Sequence, residues 1–208
     1  MQNEAPKLYE AFGKSQSGGY VLLGYSMGGR LALYYALQFP ENIKGLVLVG
    51  ASPGLSTEQE RKVRQQQDQK LADKILSIGL EAFLEEWSQK PIIASQSNIH
   101  SGFLEQMRQQ KRQLNPEGLA NSLRGMGTGE MPNLWDALPS LHIPTLLITG
   151  EHDAKFHGIA GKMVKALPYA THQIIPDVGH AAHLEAPETF ANLFMTFYQQ
   201  VATRCDQG

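Results

Sequence analysis

Four short apolar runs recur along the chain, and each is closed by glycine, proline or a polar turn. They are YVLLGY (20–25), IKGLVLVG (43–50), IPTLLITG (143–150) and THQIIP (171–176). Uninterrupted apolar runs of this length are typical of strands that are buried on both faces of a parallel sheet. Helical periodicity lies between and after them, over 27–39, 157–167 and 187–201. This alternation predicts an α/β fold with a mostly parallel sheet and helices on both faces.

The interval from about 53 to 138 carries no strand pattern and several helical ones. Thr57 with Glu60 is a candidate capping box at the start of a charged helix. Three further helical segments follow it: LEAFLEEWSQ, HSGFLEQMRQQKRQ and PEGLANSLRGM. We therefore expect a single domain over residues 1–208, with this interval inserted between two strands as a helical lid.

Composition narrows the classes of partner. With 208 residues, 42% of them apolar and 18% charged, the chain can bury the core of one globular domain. A net charge of -2 and a pI near 6.4 provide no basic field for nucleic acid or an anionic membrane. No apolar stretch reaches membrane-spanning length, the single Cys205 cannot form an intrachain disulfide, and the N-terminal residues lack a secretory signal. We expect a cytoplasmic enzyme or binding protein.

The first candidate for chemistry is the pentapeptide GYSMG, residues 24–28. It has the form G-x-S-x-G, with a predicted strand before it and a predicted helix after it, which is the context of a nucleophile elbow. In that interpretation the turn exposes the hydroxyl of Ser26, and the amide of Met27 stabilises developing negative charge as part of an oxyanion hole. An ordinary glycine-rich turn with a capping serine explains the pentapeptide about equally well.

Two later loops favour the catalytic interpretation. Asp153 follows the strand IPTLLITG and His180 follows the strand THQIIP, which completes the chain order Ser, Asp, His of an α/β-hydrolase. Asp153 would orient and stabilise the imidazolium of His180, and His180 would accept a proton from Ser26. Either residue alone is more often a capping acid or a loop histidine. Three neighbours are alternatives that we assign to loop structure: His152, Asp177 and His183. The histidine spacing favours no zinc site, and we expect no metal or cofactor.

These motifs resemble the α/β-hydrolase superfamily over nearly the whole chain. Arg30 adds a further feature, because it lies four residues after Ser26 and therefore one helical turn along on the same face. A cation at that position has no evident use in a lipase or esterase that binds an apolar acyl chain. A solvent-facing arginine is the commoner explanation in general, but it is less suited to a helix that other elements must cover.

Several separate segments resemble the 2-succinyl-6-hydroxy-2,4-cyclohexadiene-1-carboxylate synthases, lyases of menaquinone and phylloquinone biosynthesis. They are GYSMGGR, PGLSTEQERKVRQQQDQ, EEWSQKPIIAS, EQMRQQ and GEHDAKF. The resemblance implies that the serine triad starts an elimination that expels pyruvate from a succinyl-enolpyruvyl-cyclohexene carboxylate, without addition of water. The implied partner is thus a small polycarboxylate substrate.

The resemblance also assigns binding residues. It places carboxylate-binding arginines at Arg30, Arg64 and Arg108, and pocket-lining aromatic residues at Trp87 and Tyr25. Arginine suits this task, because it stays charged and binds a carboxylate through a planar fork. Solvation in a glutamine-rich helix is the alternative for Arg64 and Arg108, and lid packing is the alternative for Trp87. Phe156, just after Asp153, is a weaker pocket candidate.

The chain departs from the family at its front. About 19 residues precede the elbow strand, and no His-Gly dipeptide there supplies a second oxyanion amide. We therefore expect the N-terminal part of the sheet to be missing, so that Leu22, Leu31 and Tyr35 meet water and the exposed edge supports self-association. Two alternatives to the lyase stay open: a serine hydrolase that cleaves an ester or a carbon–carbon bond, and a catalytically silent fragment.

Overall fold

The structure, a computed structural model, describes residues 1–13, 19–99 and 101–205. Its described strands form one parallel sheet in the order β1-β2-β3-β4. Their bounds are Tyr20–Tyr25 (β1), Ile43–Val49 (β2), Thr145–Gly150 (β3) and Ala170–Ile175 (β4). All four predicted strands and the α/β fold class are confirmed.

Prolines explain two of the strand ends. Pro144 has no N–H to donate to a neighbouring strand, so β3 begins one residue later, at Thr145. Pro144 still uses its carbonyl, which accepts a hydrogen bond of 2.9 Å from the amide of Leu46. Pro176 directly follows the last residue of β4. The predicted runs were therefore one or two residues too long at these ends.

The chain divides into two compact units. The first consists of Met1–Pro53 and Leu134–Gly208, and the second of Gly54–Asn133. The first unit holds the sheet and the helices Glu4–Leu8 (α1) and Met27–Gln38 (α2), with a π-helical turn at Tyr9–Gly13 and a 3-10 turn at Trp135–Ser140. Its later helices are described below, after those of the second unit.

The described residues of the second unit contain helices and no strand. These helices are Glu58–Ile78 (α3), Leu80–Ser88 (α4), Pro91–Ala94 (α5), Ser101–Arg112 (α6) and Pro116–Met126 (α7). A 3-10 turn covers Ser95–Asn98. The predicted capping box is confirmed, since the Thr57 hydroxyl accepts from the Glu60 amide at 3.2 Å and the Glu60 carboxylate accepts from the Thr57 amide at 2.9 Å. His100, at the start of one predicted helix, lies outside the described residues. The role of a lid stays a prediction.

Three helices complete the first unit: Ala154–Ala166 (α8), Ala182–Glu185 (α9) and Pro187–Cys205 (α10). Phe197 and Val201 of α10 pack on one face of the sheet, against Val47 and Ile148 among others. Helices α2 and α8 each connect two neighbouring parallel strands, and they pack on the strands that they join. None of the described helices is long and apolar enough to cross a membrane. The expected cytoplasmic location stays a prediction.

The outer edge of β1 pairs with no strand among the described residues. Leu23 on this strand is 41% exposed, and a groove of about 380 Å³ runs beside it, lined in part by Leu22 and Leu31. The expected exposure is wrong for Tyr35, whose side chain is buried. Its hydroxyl is 2.8 Å from the hydroxyl of Tyr20, so this pair satisfies both polar groups at the rim of the groove.

Candidate active site

Ser26 occupies a strained turn between β1 and α2. Its backbone has φ 49° and ψ -109°, a region that residues with a side chain rarely adopt. The Ser26 amide donates a hydrogen bond of 2.8 Å to the carbonyl of Val49, the last residue of the neighbouring strand β2. This bond holds the strained turn against the end of the sheet. Such strain is concentrated at functional sites.

Two of the three glycines around Ser26 are required by close backbone contacts. A Cβ on Gly24 would lie 2.5 Å from the Gly28 carbonyl oxygen and 2.6 Å from the Gly29 Cα. A Cβ on Gly29 would lie 2.7 Å from the Cβ of Ala51. Gly28 is different, because a Cβ there would meet nothing within 4 Å. The tight turn therefore depends on Gly24 and Gly29 and tolerates a side chain at residue 28.

His180 and Asp153 come from the two loops that follow β4 and β3. His180 Nε2 lies 3.0 Å from Ser26 Oγ, and His180 Nδ1 lies 2.6 Å from Asp153 Oδ2. Both side chains are buried, with 4% of His180 and 9% of Asp153 exposed. Parallel strands bring their carboxyl ends to one edge of the sheet, which places all three residues there. The arrangement can move a proton from Ser26 to His180 while a carboxylate faces the resulting imidazolium.

The imidazole of His180 is enclosed by ring contacts and by the backbone. Its centroid is 4.6 Å from that of Phe156 and 5.2 Å from that of Tyr25. Gly50, with φ 54°, leaves space for the ring, because a Cβ at this position would lie 2.7 Å from His180 Cε1. Tyr25 and Phe156, the predicted pocket residues of this unit, thus lie directly beside the histidine.

The surroundings of Tyr25 and His183 shift the pKa of each side chain in the direction that favours its neutral form. Burial and the nearby charges of Glu185 and Asp153 hold the pKa of Tyr25 well above its usual value. Burial and the proximity of His180 lower the pKa of His183, whose ring is tilted by 52° against that of Tyr25 with the ring centroids 4.4 Å apart. His183 therefore supports the pocket wall in the structure, whereas His180 is the histidine in contact with Ser26.

Arg30 and Met27 lie on the first turns of α2. The amide of Arg30 donates to the Ser26 carbonyl at 3.0 Å, so Arg30 is one helical turn from the serine, and its side chain is buried. Met27 begins the helix, and its amide lies at the positive end of the helix dipole. The exposed alternative for Arg30 is therefore wrong.

The remaining predicted binding residues belong to the second unit. Arg64 Nε donates to Oδ1 of the buried Asp68 at 2.8 Å. Arg108 and Trp87 line one cavity of about 470 Å³ within this unit. The ring of Trp87 also stacks on Phe83 with centroids 5.7 Å apart. The lid-packing explanation of Trp87 thus has direct support, and it is compatible with a place in the cavity wall.

Glu185 is a residue at this site that the sequence analysis missed. Its carboxylate accepts hydrogen bonds from the amides of Gly179 and Ala181, on either side of His180, at 2.7 and 3.1 Å. The only signal for it in the sequence is a spacing of five residues behind His180, which no pattern of strands or helices singles out. Among the described residues, no group of three or more histidine, cysteine or acidic side chains could hold a metal ion.

Comparisons with known proteins identify similar sequences and structures. The family model described as alpha/beta hydrolase fold matches residues 14–187. A protein of Bacillus subtilis (strain 168), provisionally assigned as 2-succinyl-6-hydroxy-2,4-cyclohexadiene-1-carboxylate synthase, is 41% identical over 194 residues, which are 93% of this chain and 71% of that protein. The synthase of that name from Photorhabdus laumondii is 34% identical over 201 residues, 93% of this chain and 68% of the relative.

A solved structure agrees with the sequence comparisons. The structure of MenH from S. aureus superposes with a TM-score of 0.93 at 34% sequence identity. The match covers 97% of this chain and 76% of that one.

Proposed function

Because the chain belongs to the α/β-hydrolase fold family and, within it, to the 2-succinyl-6-hydroxy-2,4-cyclohexadiene-1-carboxylate synthases, we propose that Ser26, His180 and Asp153 carry out its lyase reaction. The enzyme acts in menaquinone biosynthesis. It eliminates pyruvate from 2-succinyl-5-enolpyruvyl-6-hydroxy-3-cyclohexene-1-carboxylate. The observation that carries the proposal is the continuous series of contacts from Ser26 Oγ through His180 to Asp153, at 3.0 and 2.6 Å.

The positions of the double bonds define the electron flow. The substrate ring has a double bond at carbon 3, and the product ring has double bonds at carbons 2 and 4. Removal of the proton from carbon 2 therefore forms the double bond between carbons 2 and 3, the original double bond shifts to carbons 4 and 5, and the bond from carbon 5 to oxygen breaks. The leaving group departs as the enolate of pyruvate, which becomes pyruvate when its methylene carbon is protonated. Water is not consumed.

Ser26 and His180 supply the proton transfers in this scheme. Ser26 Oγ removes the proton from carbon 2 as its own proton passes to His180 Nε2. Asp153 stabilises the imidazolium through the hydrogen bond to Nδ1. Ser26 and His180 together then return one proton to the methylene carbon of the departing enolate. Both residues are thereby restored to their starting protonation states.

The oxyanion is stabilised at the helix that follows Ser26. Loss of the proton from carbon 2 places negative charge on the ketone oxygen of the succinyl group. The amide of Met27, at the positive end of α2, is the proposed donor to that oxygen.

The substrate carries three carboxylates, on the ring, the succinyl chain and the enolpyruvyl group. We assign their recognition to the three candidate arginines, Arg30, Arg64 and Arg108. Arg30 has the strongest support, because a buried guanidinium one turn from Ser26 suits a buried anion. The buried carboxylate of Asp68 fixes the orientation of the Arg64 fork. Arg108 shares a cavity with Trp87.

Replacement of Ser26 by alanine tests the proposed chemistry. General acid–base catalysis contributes about 10²–10⁴-fold, so the Ser26→Ala variant should release pyruvate at least about a hundredfold more slowly than the parent chain. Release is measured by coupling pyruvate to lactate dehydrogenase. A neutral carboxylic ester is assayed in parallel to separate a lyase from a hydrolase.

Two outcomes would contradict this assignment. Pyruvate release by Ser26→Ala within about tenfold of the parent rate, a barrier change of about 1.4 kcal/mol, would exclude the serine from the chemical step. A parent chain that hydrolyses the ester but releases no pyruvate would support the hydrolase alternative instead.

A further inference from the structure

We propose that Glu185 is a positioning residue for His180, acting through the backbone amides on both sides of the histidine. The inference rests on the proposed role of His180 as the proton acceptor of Ser26. In this inference Glu185 has no part in the proton transfers between Ser26 and His180. It determines instead where the imidazole stands between its two partners.

The two oxygens of Glu185 hold separate amides. Oε2 accepts from the Gly179 amide at 2.7 Å, and Oε1 accepts from the Ala181 amide at 3.1 Å. Gly179 and Ala181 are both buried and flank His180 directly. A single carboxylate thus bonds to the loop immediately before and immediately after the histidine. Hydrogen bonds to a charged acceptor are stronger than those between neutral groups.

Among the described residues, the segment that carries His180 belongs to no strand. It lies between the end of β4 at Ile175 and the short helix α9, which begins at Ala182. Asp177 within it has φ 59°, so the backbone turns sharply before it reaches the histidine. Regular secondary structure therefore does not determine the position of His180. Hydrogen bonds to single residues hold this segment, and those to Glu185 are the ones on either side of the histidine.

The catalytic contacts leave little room for displacement. His180 must keep Nδ1 at 2.6 Å from Asp153 and Nε2 at 3.0 Å from Ser26 at the same time. A displacement of the loop backbone would alter both contacts together, because both ring nitrogens move with it. A misplacement of about 1 Å in an active site can reduce the rate by about a hundredfold.

The test measures reactivity of Ser26 without the natural substrate. A fluorophosphonate probe forms a bond between its phosphorus and Ser26 Oγ and loses fluoride, while His180 accepts the serine proton. We expect Glu185→Ala to lower the labelling rate of the 208-residue chain by about tenfold to a hundredfold. Glu185→Gln, which keeps one oxygen acceptor of similar size, should lose only a few-fold. Ser26→Ala is the unlabelled blank.

Glu188→Ala is the matched control, because Glu188 is an exposed acid in the first turn of the next helix, α10. It should be labelled at the parent rate. A second measurement follows the proton of His180 Nδ1 by NMR, since its short bond to Asp153 gives a far-downfield resonance. This resonance should shift or broaden in Glu185→Ala and stay unchanged in Glu188→Ala. A purely structural loss at residue 185 would lower thermal stability without moving the resonance of the folded protein.

Each result decides the inference. A folded Glu185→Ala chain with the parent labelling rate and an unchanged Nδ1 resonance would overturn it while leaving the Ser26 assignment intact. Loss of the fold in both Glu185 variants would also overturn it, because Glu185 would then be required for the structure as a whole. A parent chain that the probe does not label would overturn this inference and the proposed function together.

Discussion

Asp153 performs two tasks with its two carboxylate oxygens, and substitution can separate them. Oδ2 accepts the hydrogen bond from His180 Nδ1 at 2.6 Å, and Oδ1 accepts from the Phe156 amide at 3.4 Å as the cap of α8. Asparagine caps helices about as well as aspartate does. Asp153→Asn should therefore keep the cap but remove the charge that faces His180, whereas Asp153→Ala removes both.

The expected loss in rate follows from the buried hydrogen bond. A bond to a charged group contributes about 1.5–3 kcal/mol, which corresponds to about a 10–150-fold loss of kcat. The asparagine amide adds a second effect, because its N–H₂ group can donate to Nδ1 and so favour the wrong tautomer of His180. We therefore expect Asp153→Asn to lower kcat by at least about a hundredfold with little change in KM.

Stability provides the matched comparison. Loss of a helix cap costs about 1 kcal/mol, which lowers Tm by about 2–4 °C in a chain of this size. Asp153→Ala should show this decrease, and Asp153→Asn should not. Pyruvate release and thermal unfolding monitored by circular dichroism are the assays. An Asp153→Asn enzyme with kcat within threefold of the parent value would refute the proposed role of the His180–Asp153 bond.

Three further predictions concern other parts of the molecule. Alanine at each of the three candidate arginines should lower kcat/KM for the polycarboxylate by about 10–150-fold, because a carboxylate contact of about 1.5–3 kcal/mol is lost. Lys62→Ala, which removes an exposed ion pair on α3, should leave kcat/KM unchanged, and an equal decrease for the polycarboxylate and a neutral ester in the arginine variants would contradict the prediction. Because the outer edge of β1 pairs with no strand among the described residues, size-exclusion chromatography should show self-association of the chain, and Leu23→Lys should reduce it. A monomeric parent chain would contradict the prediction of self-association. Burial and the neighbouring His157 lower the pKa of His172, so the folded state binds a proton at His172 less readily than the unfolded state, and Tm should fall as the pH decreases below about 6.5. His172→Gln should make this fall in Tm less steep, and an unchanged slope of Tm against pH would contradict the assignment.

The apolar runs were sufficient to locate the four strands. Strands β2 and β3 were predictable because residues buried on both faces leave continuous apolar runs, and Pro144 accounts for the late start of β3. The expected burial on both faces is wrong for β4, whose residues are mostly exposed or half-buried, and β1 is only partly buried. The chain order of Ser26, Asp153 and His180 was also predictable, because parallel strands bring the loops after them to one edge. The triad residues that the sequence predicted lie in the turns and loops that follow strands.

Other features depend on contacts that no local pattern records. Asp68 has the ordinary four-residue helical spacing from its partner Arg64, but its burial within a charged helix does not follow from that spacing. Glu185 reaches the backbone rather than another side chain, so residue types alone do not indicate it. The burial of Tyr35 likewise follows from the position of Tyr20 in the adjacent strand.

The strand order of the sheet also bears on how the chain folds during synthesis. Neighbouring strands follow one another in the sequence, so β1, α2 and β2 can assemble before the rest of the chain is made. Strand β3 must then bridge roughly 95 residues to reach β2, and loop closure becomes more costly in entropy as the loop lengthens. The amide of Leu134 bonds to the carbonyl of Pro53 at 2.9 Å, which joins the two ends of the intervening segment. Packing of the helices between them would shorten the effective loop. The rate at which the sheet is completed should therefore depend on helix formation in a segment whose described residues contribute no strand.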